Sequence, residues 1–195
     1  MTHFIRHRIN TIAELKTVDP AHGVELDLRD HGDRLILAHD PFVNGEDFSD
    51  YLQYYRHGTM ILNIKSERIE HRVLEEIQKA GTVKDYFFLD SSFPMICTLV
   101  ALGERRIAVR HSELEPIESV LVLAGKVEWV WIDCFTKMPL DSKTYKSMKD
   151  AGFKLCAVSP ELQKRPIESI SQYSSELAPY RMDAICTKRP DLWNL

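Results

Sequence analysis

The sequence of 195 residues is 44% hydrophobic and 28% charged, ordinary for a globular chain with room for a substantial core. A formal net charge of −4 excludes a general nucleic-acid binder, because no basic surplus is available to neutralise phosphates. The start, MTHFIRHRIN, lacks the apolar core of a signal peptide, and no run approaches the ~18 apolar residues of a membrane span. We therefore expect no membrane span and a cytoplasmic location.

In chain order, short apolar runs alternate with longer amphipathic ones. The short runs are Phe4–Arg8, Gly23–Leu28, Met60–Lys65, Tyr86–Ser91, Arg106–Arg110, Trp129–Asp133, Lys154–Ser159 and Asp183–Thr187, with Leu35–His39 as the return arm of a hairpin. Helices are predicted over Thr11–Thr17 (with Asn10 as a possible cap), Phe48–His57, Glu67–Ala80, Pro94–Leu102, Pro116–Ala124, Asp141–Ala151 and Ile167–Leu177. Several of them stop at a glycine: Gly81, Gly103, Gly125 and Gly152. Strands alternating with helices in this way predict an α/β chain, a parallel (β/α)8 TIM barrel forming a single domain over residues 1–195. An open doubly wound sheet is the runner-up. The four cysteines contain no CxxC pair and read as reduced thiols, and Trp129 and Trp131 read as core.

The most informative stretch is Gly23–Pro41, GVELDLRDHGDRLILAHDP. It predicts a strand, a polar turn over Arg29–Asp33 and a second strand. Alternation puts Glu25 and Asp27 on one face and Val24, Leu26 and Leu28 on the other. Two neighbouring carboxylates repel unless a cation lies between them, and a hard divalent ion, Mg²⁺ or Ca²⁺, suits oxygen ligands. A barrel places its active site at the carboxyl ends of the strands. There the chain offers His7-Arg8, Glu25 with Asp27, Asn63 with Lys65, Asp90, Arg110-His111, Asp133, Ser159 and Thr187-Lys188, and the hairpin delivers His39. That density of ionisable groups suits an anionic substrate.

The order His7-Arg8, Glu25-Leu26-Asp27, His39-Asp40-Pro41 and Ile61-Leu62-Asn63-Ile64-Lys65 resembles the glycerophosphodiester phosphodiesterase family, within the phospholipase C-like phosphodiesterases. The resemblance implies a metal-dependent phosphodiester hydrolase acting on a small-molecule phosphodiester. It makes His7 and His39 the acid–base pair, Arg8 and Lys65 the phosphate-binding groups, and Glu25, Asp27 and Asn63 the ligands of Mg²⁺ or Ca²⁺. Asn63 stands where the family has a carboxylate. A second possibility is a catalytically degenerate barrel that binds a phosphorylated ligand or a protein partner. A third is a barrel enzyme acting on sugar phosphates by proton abstraction, ranked last because no phosphate-gripping glycine loop precedes Lys188.

Overall fold

The computed structural model describes residues 2–193. The chain divides into two compact units, one spanning Ile5–Leu99 and the other running from Val100 onward together with the start of the chain through Phe4.

The Ile5–Leu99 unit is built on parallel strands. Strand β1 (His3–Arg6) pairs through Ile5 and Arg6 with Gly23 and Val24 of β2 (Gly23–His31). Strand β3 (Arg34–Leu37) runs back antiparallel to Leu28–His31, and a two-residue strand β4 (Glu46–Asp47) pairs with it. On its other edge β2 pairs in parallel with β5 (Met60–Ile64), and β5 pairs with β6 (Tyr86–Leu89). The sequence places a turn over Arg29–Asp33, but β2 continues to His31 and only Gly32 and Asp33 turn, with Gly32 at φ +61°. The reason is antiparallel pairing with β3, which carries the polar end of β2 beyond the core.

All five residues of β5 and all four of β6 are buried, as are the first six of β2. Strands covered on both faces in this way are the rule for parallel sheets. Four helices accompany them: α1 (Ile12–Leu15), α2 (Phe48–Tyr54), α3 (Glu70–Ala80) and α4 (Phe93–Ala101). Helix α1 is shorter than expected and its cap is Thr11, not Asn10. The Thr11 hydroxyl accepts from the Glu14 backbone N–H in a capping box, and Glu46 takes the Ile12 N–H at 2.6 Å. Helix α3 begins at Glu70 rather than Glu67, because Arg68 has a left-handed backbone (φ +68°). Tyr51 and Tyr55 of the α2 segment are buried and Tyr54 is exposed.

Among its described residues the second unit holds four parallel strands in chain order, β7 (Ala108–His111), β8 (Trp129–Ile132), β9 (Lys154–Val158) and β10 (Ala184–Thr187). Helices α5 (Ile117–Leu121), α6 (Ser142–Asp150) and α7 (Ser169–Leu177) lie between them in sequence. Trp129 and Trp131 are buried, as expected. Cys134, Cys156 and Cys186 are buried and Cys97 is exposed, all outside any disulfide. No helix among the described residues is long and apolar enough to cross a membrane.

Gly45, which leads into β4, passes so close to β3 that a Cβ there would collide with the carbonyl oxygen of Leu37. Gly45→Ala should therefore destabilise the protein by about 1–3 kcal/mol, a melting-point loss of several degrees measurable by differential scanning calorimetry.

Candidate active site

Glu25 and Asp27 lie on the same face of β2, 1% and 0% exposed. Two buried carboxylates this close cannot both remain charged without compensation. The chain itself supplies the donors. The Arg8 backbone N–H donates to Glu25 Oε2 at 2.6 Å, and Asn63 Nδ2 on β5 donates to Glu25 Oε1 at 2.8 Å. Asp27 is held by Asn10, whose Nδ2 donates to Asp27 Oδ2 at 2.9 Å while Asn10 Oδ1 accepts the Asp27 backbone N–H at 2.8 Å. Arg8 Nε stands 3.4 Å from Asp27 Oδ2, and Lys65 Nζ 3.8 Å from Oδ1 and 3.3 Å from Asp90 Oδ2. His7 Nε2 lies 3.7 Å from Glu25 Oε2.

Backbone geometry sets this arrangement. Arg8 adopts a left-handed conformation (φ +54°), and so does Asp90 (φ +60°). Such conformations in non-glycine residues persist where the surroundings hold them. At Arg8 they do: its own N–H is bonded to Glu25 and the next N–H, of Ile9, to the Glu25 carbonyl at 2.9 Å. The register Asp27↔Asn63 sets the side chains of β2 and β5 side by side.

The electrostatic result is a carboxyl poised at neutrality. Burial first, and the Asp27 carboxylate second, push Glu25 from an ordinary 4.5 up to about 7, against the lowering hydrogen bonds of Asn63 and Arg8.

His7, Arg8, Glu25, Asp27, Asn63 and Lys65 are thus brought together, and His39 follows Ala38, whose N–H donates to the Asp27 carbonyl at 3.0 Å. His39 Nδ1 lies 2.8 Å from Asp40 Oδ1, and its carbonyl accepts from Arg29 Nε and Nη2 at 3.2 and 3.0 Å. The hydrogen bond to His39, with the charges of Arg8 and Arg29 beyond it, holds the Asp40 carboxyl below its ordinary value. In the second unit Asp133 Oδ2 accepts from Arg110 at 2.7 Å, and its Oδ1 accepts from Gln163 and from the Cys134 N–H. The Lys188 N–H donates to Glu161 at 3.0 Å.

Asn10 is the residue that sequence reasoning missed. Its position beside a helix start suggested a cap, and no periodic signal links it to Asp27, 17 residues away.

The expectation of a Mg²⁺ or Ca²⁺ site is corrected by this geometry. Among the described residues no group of three or more His, Cys, Asp or Glu side chains could hold a metal ion. Asn63 turns its N–H to Glu25 instead of presenting a third carboxylate. The chain's own donors to Glu25 and Asp27 lessen the repulsion that seemed to demand a cation.

No family model and no curated protein matches the sequence. Solved structures do. The chain is similar to the tryptophan synthase complex of Pyrococcus furiosus, at TM-score 0.58 and 12% identity over 95% of this chain and 86% of that one. It is also similar to two mutants of the tryptophan synthase alpha-subunit of that hyperthermophile, both at TM-score 0.60, with 12% and 13% identity and the same coverage. These likenesses show the fold, an α/β TIM-barrel-like chain. They overturn the resemblance to the glycerophosphodiester phosphodiesterases, and with it the expected phosphodiester hydrolase and its divalent cofactor.

Glu25 keeps its proton in the native state until about pH 7, while the unfolded chain loses it near 4.5. The native state therefore binds more protons between these values, so its stability is undiminished below 4.5 and falls as pH rises through 7. The loss is on the order of 3 kcal/mol. Urea titrations from pH 5 to 8 should show this decline in the wild type, and in Glu25→Gln a flatter profile.

Proposed function

We propose that this cluster is the active site of a barrel enzyme in which Glu25 moves a proton on a small anionic substrate. The observation that carries the reading is a buried carboxyl, poised near neutrality, standing among two cationic side chains on parallel barrel-type strands. A catalytic acid or base works best when its pKa lies near the working pH, and burial beside a like charge is how a glutamate reaches that range.

The roles follow from the contacts. Arg8 and Lys65 supply the positive charge that an anionic substrate would meet, while Asn10 and Asp27 hold Arg8 and Lys65 in place. Ionised Glu25 removes a proton from the bound substrate. The negative charge that develops on the substrate faces Lys65. Protonated Glu25 then returns the proton, to the same or to a neighbouring atom. His7, 3.7 Å from Glu25, is placed to exchange that proton with solvent. His39, engaged with Asp40, takes no part in this reading.

The fold likeness to tryptophan synthase subunits supports a barrel-type scaffold for this site. Proton abstraction on a sugar phosphate, by a carboxylate or lysine base, is the last of the three readings open to the sequence. It rises because the carboxylates are compensated by protein groups and one of them titrates near neutrality. We place the protein in the cytoplasm, where four cysteines outside any disulfide are in keeping with a reducing compartment.

The test is proton exchange. A panel of small phosphorylated and carboxylated metabolites incubated with the protein in D₂O should include a compound that gains deuterium at carbon, read by mass spectrometry. Glu25→Gln should slow that exchange at least about a hundredfold. Exchange unaffected by the substitution, or none across the panel, would remove Glu25 from this role.

A further inference from the structure

We infer that the ligand of this site carries a hydroxyl group next to its anionic group, and that Asp27 Oδ1 and Asn63 Oδ1 accept the hydrogen bond from it. The inference rests on the reading of the Arg8–Lys65 cluster as an anion site and names the class of compound it takes.

Asp27 is fully buried and Asn63 is 8% exposed, yet the Oδ1 atom of each has no hydrogen-bond partner. Every other polar atom of the two side chains is engaged. Asp27 Oδ2 accepts from Asn10, and Asn63 Nδ2 donates to Glu25. A buried acceptor without a donor is costly, and native proteins seldom tolerate it. Here two of them belong to register partners on adjacent strands, whose side chains are neighbours in the sheet.

Asp27 Oδ1 is the oxygen that faces Lys65 Nζ, at 3.8 Å and so beyond hydrogen-bond reach. Side-chain exposure rises along this line, from 0% at Asp27 to 17% at Lys65 and 30% at Asp90. A ligand whose anion meets Lys65 and Arg8 would thus bring its neighbouring atoms against Asp27 and Asn63.

The charge around the pair selects the donor. A ligand ammonium would be pushed back by Lys65 and Arg8, both already close to Asp27. A hydroxyl offers the proton without the charge. The geometry therefore points to a hydroxy-substituted phosphate or carboxylate, with the hydroxyl on the atom next to the one bearing the anion or one further along.

Isothermal titration of the full chain with three probes tests this: inorganic phosphate, ethyl phosphate and 2-hydroxyethyl phosphate, the last two differing only by the hydroxyl. The expected result is about tenfold tighter binding of the hydroxyl compound in the wild type, with a preference within about twofold in Asn63→Leu. Should that variant fail to fold, Asn63→Ala replaces it, and the wild-type comparison stands by itself. Equal affinity for the two esters overturns the hydroxyl inference and leaves the anion site standing. A tenfold preference that survives loss of Asn63 overturns the assignment of the acceptor. Failure of all three probes to bind overturns the anion site together with the inference.

Discussion

The arrangement around Glu25 and Asp27 depends on one constraint, the burial of two carboxylates two residues apart on a single strand. Neither has water to stabilise its charge, so each needs donors from the protein or must keep its proton. The structure uses both solutions. Asp27 receives Asn10, with Arg8 and Lys65 nearby, whereas Glu25 receives an Arg8 N–H and Asn63 and is raised to about 7. The left-handed backbone at Arg8 and the Asn10–Asp27 pairing are both consequences of satisfying those oxygens.

The second unit handles a similar demand differently. Asp133 is 1% exposed, and burial raises its pKa, but Arg110, Gln163 and the Cys134 N–H take up both of its oxygens. Glu161 likewise accepts from the hydroxyls of Ser159 and Thr187, tying the ends of β9 and β10 to one short turn. These carboxylates have a full set of partners, and a satisfied network specifies structure. The cluster on β2 and β5 leaves two buried oxygens of neighbouring strands without donors, beside two cationic side chains, and that combination suits a ligand.

The resemblance to the phosphodiesterases rested on four landmarks, among them Glu25-Leu26-Asp27 and His39-Asp40. Such motifs are few residues long, and what they demand physically is compensation of charge, which a metal can supply and so can a protein. Here Asn10 and Lys65 supply it. His39 shows the same limit: its place after the hairpin was legible, whereas the pairing of its Nδ1 with Asp40 and of its carbonyl with Arg29 is indicated by neither alternation nor spacing.

The sequence by itself determined the alternation of buried strands and helices, the burial of Trp129 and Trp131, and the placing of Glu25 and Asp27 on a common face of β2. Those properties follow from local periodicity, since side chains two apart on a strand always share a face. Only the tertiary structure decided that Asn10 bonds Asp27 across 17 residues, that Asn63 donates to Glu25 across 38, and that Glu25 holds its proton to about pH 7. Hydrogen-bond partners and charge states depend on which groups converge in space and how much water they lose, and neither is written in the spacing of residues along the chain.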